Sequence, residues 1–207
     1  MRTWKLTDAE AIASANKYTF FKPSAQTIAA LQQGEFVQLI FEIVDPPDEG
    51  PGAERMWVEI VEVDAAGGYR GLLRNDPSAI EDLKFGDQVA FEPCHIIKTE
   101  RDEDGGLVEK YSSRCFVSNK ILNEGAKVGR LWREDPHTSD DSGWRFLAGD
   151  ERGGYLIDPG NCQCVSIGAV LRSDDSFIEL LEHPVGARFK RRAETNTFEP
   201  DDSPMRA

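Results

Sequence analysis

The densest chemistry in the chain lies between Trp132 and Phe146, in the run Trp132-Arg133-Glu134-Asp135-Pro136-His137-Thr138-Ser139-Asp140-Asp141-Ser142-Gly143-Trp144-Arg145-Phe146. Two indoles, two guanidinium groups, four carboxylates and an imidazole fall within 15 residues. Tryptophan and arginine are the side chains that interfaces use as anchors, since they bury much area at little entropic cost. Glu134, Asp135, Asp140 and Asp141 also offer pairs of carboxylates, which a hydrolase uses as acid and base when their separation and pKa values suit. A calcium loop is a third reading, although the carboxylates do not alternate as a helix-loop-helix calcium site requires. The plainest reading is a solvated hairpin loop whose tryptophans pack in the core. As a candidate interaction surface, the residues singled out are Arg133, Glu134, Asp140, Asp141 and Arg145.

Elsewhere reactive side chains are scattered. Cys94, Cys115, Cys162 and Cys164 include no Cys-x-x-Cys spacing. Cys162 and Cys164 would share one face of a strand, but a metal site needs two further ligands and none is near in sequence. Structural, reduced thiols are expected. His95, His137 and His183 are far apart; His95 reads as a hydrogen-bonded structural histidine in an apolar strand, and His183 ends a helix before a proline. Phosphate-binding loops, dinucleotide-binding glycines, His-Glu-x-x-His and Gly-x-Ser-x-Gly are missing from the sequence. The expectation is no catalytic residue, no metal and no cofactor. Trp57, in Arg55-Met56-Trp57-Val58, is expected in the core.

These residues need elements to hold them. Thr7-Asp8-Ala9-Glu10 forms a capping box that starts a helix through about Lys17. Ser24 caps a second helix, closed by Gly34 after Gln33. Residues 35–44 (EFVQLIFEIV) read as a largely buried strand, 55–63 and 69–73 as its partners, and 88–98 as another strand after a short helix ending near Leu83. Farther on, strands are predicted at 114–118, 128–132, 144–147, 155–157, 165–171 and 187–191, with a helix at 176–182 capped by Asp174 or Asp175. Within the 144–147 strand, Trp144 and Phe146 point one way and Arg145 the other. Packing is therefore assigned to the two aromatics and recognition to Arg145, with Asp140 or Asp141 beside it.

Strands and helices are interspersed, which predicts an α+β fold of two small modules, each an antiparallel or mixed sheet with one or two helices. The modules fall at residues 1–98 and 113–198. A charged, glycine-bearing hinge occupies 99–112, and a mobile tail 199–207. Across the 207 residues, 40% are hydrophobic and 29% charged, the composition of a soluble globular protein. No apolar run approaches the ~20 residues of a membrane span. Acidic residues in the first 20 positions leave no greasy core for an export signal, so a cytoplasmic location is expected. Lys and Arg number 24 against 37 Asp and Glu, a net charge of −13. Divided at Thr99, the parts carry −7 and −6. Such a surface repels phosphate, which argues against nucleic acid and anionic membrane as partners and for a basic protein.

Residues 113–192 resemble a bacterial family catalogued among the immunity proteins of polymorphic toxin systems and also as a domain of unknown function. The resemblance is carried by Ser118-Asn119-Lys120, Lys127-Val128-Gly129, Trp132-Arg133-Glu134-Asp135-Pro136, Asp141-Ser142-Gly143-Trp144-Arg145-Phe146, Gly149-Asp150-Glu151 and His183-Pro184-Val185-Gly186. Residues 15–98 resemble the YegJ-like domains of unknown function through Phe20-Phe21, Glu54-Arg55-Met56-Trp57-Val58, Gly71-Leu72-Leu73-Arg74-Asn75-Asp76-Pro77 and Leu83-Lys84-Phe85-Gly86-Asp87-Gln88-Val89. The resemblance implies an intracellular bacterial protein that neutralises a toxin by binding it; taken with the acidic surface, the leading expectation is a non-enzymatic binding protein that occludes the active site of a basic toxin partner. The competing expectation is a small-ligand binder or hydrolase-like enzyme with a pocket near the Glu134–Arg145 loop.

Overall fold

A computed structural model describes residues 2–101, 105–152 and 154–203. The chain divides into two compact units, Met1–Gly105 and Gly106–Ala207. Each holds a six-stranded sheet, and with the helices they make a mixed α+β fold. Among the described residues no helix is long and apolar enough to cross a membrane. Unit 1 carries ten Lys and Arg against twenty Asp and Glu, a net −10; unit 2 carries fourteen against seventeen, a net −3. The acidity is thus unequal. Residues 100–105, which belong to unit 1, account for the difference from a division at Thr99.

In unit 1, β1 (Trp4–Leu6) leads to α1 (Ala9–Ala15) and α2 (Ala25–Ala29). The cap of α1 is Asp8 rather than Thr7: its carboxylate accepts from the Glu10 and Ala11 amides. Ser24 caps α2 by accepting from the Thr27 amide, but the helix ends at Ala29, short of Gln33. The sheet follows as β2 (Phe36–Ile43), β3 (Ala53–Val63), β4 (Tyr69–Leu73), β5 (Gln88–Phe91) and β6 (Ile96–Thr99). The strand expected over 88–98 is broken by a 3-10 turn, Pro93–His95, so its two parts pair with different strands. β5 joins β4, while β6 crosses to β2. The turn thereby rolls the sheet around one apolar core. Val37, Leu39 and Phe41 of β2, Val58 and Ile60 of β3, and Phe91 and Ile96 fill it. Ile40 faces the other way and is covered by Ala9 of α1.

His95 belongs to this turn and not to a strand. Its Nδ1 accepts the Glu92 amide at 2.9 Å, and burial lowers its pKa. Trp57 lies opposite Met56 and Val58 on β3, so it is half-buried outside the core, with Lys98 over its ring. The helix expected before Leu83 is absent: Glu54 accepts from both the amide and hydroxyl of Ser78 and ties that segment to β3 instead.

Unit 2 opens with α3 (Gly106–Lys110), so the described part of the segment read as a hinge is strand and helix at its ends; residues 102–104 lie outside the described residues. Then come β7 (Arg114–Ser118), α4 (Asn119–Asn123), β8 (Arg130–Arg133), β9 (Asp141–Leu147), β10 (Cys162–Ser166), α5 (Ile167–Ser173), β11 (Arg188–Arg191) and β12 (Phe198–Pro200). Strand order is β10-β7-β9-β8-β11-β12; among the described residues β7 and β9 pair in parallel and the other neighbours antiparallel. Residues 155–157 are a 3-10 turn rather than a strand, and Ile157 is 83% exposed. The apolar run 165–171 changes from strand to helix where Ser166 caps α5. Residues 178–182 form a 3-10 turn in place of the expected α-helix, with Asp174 accepting from Ser176. The segment read as the start of a tail pairs with β11, and Asp201 beyond it is buried; residues 204–207 lie outside the described residues.

Candidate functional site

The Trp132–Phe146 run is a β-hairpin. β8 and β9 pair Arg133 with Trp144, Trp132 with Arg145, and Leu131 with Phe146. Two glycines make the pairing possible. At Gly143 the backbone has φ +80°, and a Cβ there would lie 2.2 Å from the Glu134 carbonyl oxygen. At Gly129 a Cβ would lie 1.9 Å from the Ala148 carbonyl oxygen. Only a residue without a side chain permits either approach.

The alternation along β9 holds. Trp144 and Phe146 are buried in the core, with Phe177 packed on Phe146 at 4.9 Å between ring centres. Arg145 points to the opposite face, where the chain closes around it and leaves it 5% exposed. Arg145 thus lies on the expected face of the strand but is buried there and does not face solvent. Its guanidinium lies 4.8 Å from the Phe116 ring centre. Nη1 and Nη2 donate to the two Asp141 oxygens at 2.9 and 2.8 Å, and Nε donates to Glu134 at 2.7 Å.

Asp141 is the hub of the loop. Besides Arg145 it accepts the His137 and Gly143 amides, each at 2.9 Å. The Arg145 guanidinium, against the opposing effect of burial, holds its carboxyl far below the usual carboxylate range. A carboxylate held there with four donors is a poor proton acceptor and a poor acid. Glu134 shares its second oxygen with the Trp132 indole at 3.2 Å.

The structure therefore brings Glu134, Asp141 and Arg145 together and leaves Arg133 and Asp140 apart. Arg133, opposite Trp144, donates to the Ser142 and His183 carbonyls. Asp140 is exposed and accepts from Thr138. Strand alternation in Arg114-Cys115-Phe116-Val117 and in Arg188-Phe189-Lys190 also puts Phe116 and Arg188 on the Arg145 face, a placement readable from the pattern but not singled out above.

Of the thiols, Cys115 is buried and pushed up to about 12, chiefly by desolvation. Cys164 accepts from Arg114 Nε at 3.2 Å. A cleft of about 680 Å³ lies in unit 2 among Gly129, Arg130, Gly149, Asp150, Lys190 and Arg191, away from the Glu134–Arg145 loop. Its cations have carboxylate partners: Arg130 with Asp201, Lys190 with Glu199, and Arg191 with Asp174.

The site is thus a sheet-borne aromatic and guanidinium face, the kind of surface that binding domains present. The family model described as Immunity protein Imm33 domain matches residues 115–201, within unit 2, so that unit is similar to this family. No curated protein and no solved structure matches the chain.

Proposed function

We propose that the chain is an immunity protein: it binds a toxin and neutralises it by covering the toxin's working site. The single observation that carries this reading is the immunity-domain match over residues 115–201. The Glu134–Asp141–Arg145 cluster supports binding over acid–base chemistry, since its carboxylates are engaged by a guanidinium and by backbone amides. A basic toxin would be drawn over distance to unit 1, which holds most of the net negative charge.

The test is co-expression of the chain with each toxin-like protein encoded beside it. Growth restored by the chain, together with a 1:1 complex on gel filtration that lacks toxin activity, is the expected result. Toxins that kill equally with and without the chain would overturn the proposal.

A further inference from the structure

The strand register of unit 2 draws one line of side chains straight across the sheet. Cys164 lies opposite Phe116, Phe116 beside Arg145, Arg145 opposite Trp132, and Trp132 opposite Arg188. All face away from the core, because their strand neighbours Cys115, Val117, Trp144, Phe146, Leu131 and Phe189 are the buried ones. Phe116 is 42% exposed, and Trp132 and Arg188 are half-buried.

The chemistry along this line is ordered. At its centre the Arg145 guanidinium is fully engaged by Asp141 and Glu134, so what Phe116 and Trp132 present on either side of it is an apolar platform with no free cation between them. Toward the ends lie two guanidinium groups that make no ion pair among the described residues, although the Asp140 carboxylate acts on Arg114 from nearby. Arg114, beside Cys164, donates to the Cys164 sulfur and carbonyl, and among the described residues no carboxylate forms an ion pair with it. The same holds for Arg188 at the other end. The next line across the sheet holds Arg130 and Lys190, each paired with a carboxylate, Asp201 and Glu199.

We infer that this face is the toxin-binding surface and that it takes an acidic segment of the partner, with carboxylates placed on both sides of an apolar side chain. The inference rests on the immunity reading and supplies the chemistry of the contact. Free guanidinium groups recognise carboxylates by paired, charge-assisted hydrogen bonds. Tryptophan and arginine beside one another are the residues in which interfaces concentrate their energy. A basic segment laid here would meet Arg114 and Arg188 with like charge and find the Asp141 and Glu134 carboxylates already occupied by Arg145.

The experiment uses the full chain, labelled for nuclear magnetic resonance, and two synthetic peptides as probes. One is Glu-Glu-Leu-Glu-Glu and the other Lys-Lys-Leu-Lys-Lys. The acidic peptide is expected to move the Trp132 indole and Arg188 Nε resonances saturably, and the basic peptide to leave them in place. Arg188→Glu should weaken the acidic peptide about tenfold, the size of one lost charge-assisted contact. Arg188→Gln, which removes the charge without reversing it, should fall between the two. An acidic peptide that moves neither resonance, a basic peptide that moves both, or unchanged binding by Arg188→Glu would overturn the inference. Protection against a toxin separates this from the broader reading. If the chain protects and Arg188→Glu and Trp132→Ala protect equally well, the face is wrong and the immunity function stands. If the chain protects against no toxin, the function fails, and the peptide result still decides the chemistry of the face.

Discussion

Unit 1 rolls its sheet around a single apolar core and keeps its ion pairs partly in water, as with Arg70–Glu62 and Arg101–Glu35. Unit 2 has an open sheet and takes carboxylates inside. Asp141, Asp174 and Asp201 have side chains no more than 7% exposed, and each meets an arginine: Arg145, Arg191 and Arg130. These pairs act as clamps. Asp174, after α5, also accepts the Val128 amide, so one carboxylate joins a helix end, the approach to β8, and β11. Asp201 fastens the segment after β12 to β8. A rolled sheet can close on apolar side chains alone; an open one here is fastened at its loops and ends by charge. Buried pairs of this kind contribute little relative to apolar packing, but removing one partner strands the other charge. That asymmetry makes unit 2 the more sensitive to single polar substitutions.

The largest effects should therefore fall on the two faces of β9 alike. Trp144→Ala removes a fully buried indole and should cost about 3–5 kcal/mol. Arg145→Ala leaves the Asp141 carboxylate buried without its cation and should also cost about 3–5 kcal/mol. Urea unfolding of both variants, followed by amide exchange of unit 2, measures this. A near-neutral Arg145→Ala would mean that the loop reorganises freely, and the clamp description of unit 2 would be wrong.

The Arg145 result shows how far sequence carries. Its direction was legible, because alternation along Trp144-Arg145-Phe146 is a local rule. Its burial was not, because that depends on Phe116 arriving from a strand about thirty residues earlier and on Asp141 folding back over four positions. Caps at Asp8, Ser24 and Ser118 were local too, although Thr7 competes with Asp8 on pattern alone. What failed was decided by single local residues that the apolar pattern hides, or at a distance. Residues 155–157 have the apolar look of a strand, yet they follow Gly154 in a left-handed conformation and turn instead. The 165–171 run is apolar or small apart from Ser166, whose hydroxyl caps α5 where strand gives way to helix. The clamps Asp174–Arg191 and Arg130–Asp201 join residues 17 and 71 apart, with no pattern to announce them. Among the candidate site residues, Glu134, Asp141 and Arg145 came together, while Arg133 and Asp140 did not.

A smaller effect follows from Gly143. Alanine there must hold φ near +80° and press its methyl on the Glu134 carbonyl. A cost of about 1–3 kcal/mol is expected, the range for a strained backbone position. The readout is the denaturant midpoint, with the His137 and Gly143 amide protons reporting the loop. An unchanged midpoint would show that the hairpin does not require the close approach.

Acid should find the clamps in a defined order. Burial raises the Asp201 carboxyl, but hydrogen bonds from Arg130 and Ser203 outweigh it and bring it to about 2, below its ordinary 3.8. Asp141 is lower still, held chiefly by Arg145. For groups whose folded pKa is depressed, the stabilisation is complete above the unfolded value and disappears as pH falls through the folded one. The Asp201 contribution should thus be constant from pH 7 to about pH 4 and be lost toward about pH 2. Unfolding free energies measured across that range should slope less steeply in Asp201→Asn than in the unmodified chain. Parallel slopes would mean that Asp201 titrates alike in the folded and unfolded states.

The smallest effect should come from unit 1. Arg70 and Glu62 form an ion pair at 3.1 Å across β3 and β4, but their side chains are 59% and 53% exposed. Water screens such a pair, and holding two long side chains in register costs rotamer freedom. Arg70→Ala should change stability by no more than about 0.5 kcal/mol, and added salt should not separate it from the parent. The apolar neighbours of Arg70 on β4, Tyr69 and Gly71, face the core and keep the strand in place without it. Set against Arg145→Ala, this variant makes the comparison quantitative: the same residue type, each with acidic partners in a β-sheet, differing chiefly in exposure. If Arg70→Ala costs as much as Arg145→Ala, exposure does not distinguish the two units and the contrast between them fails.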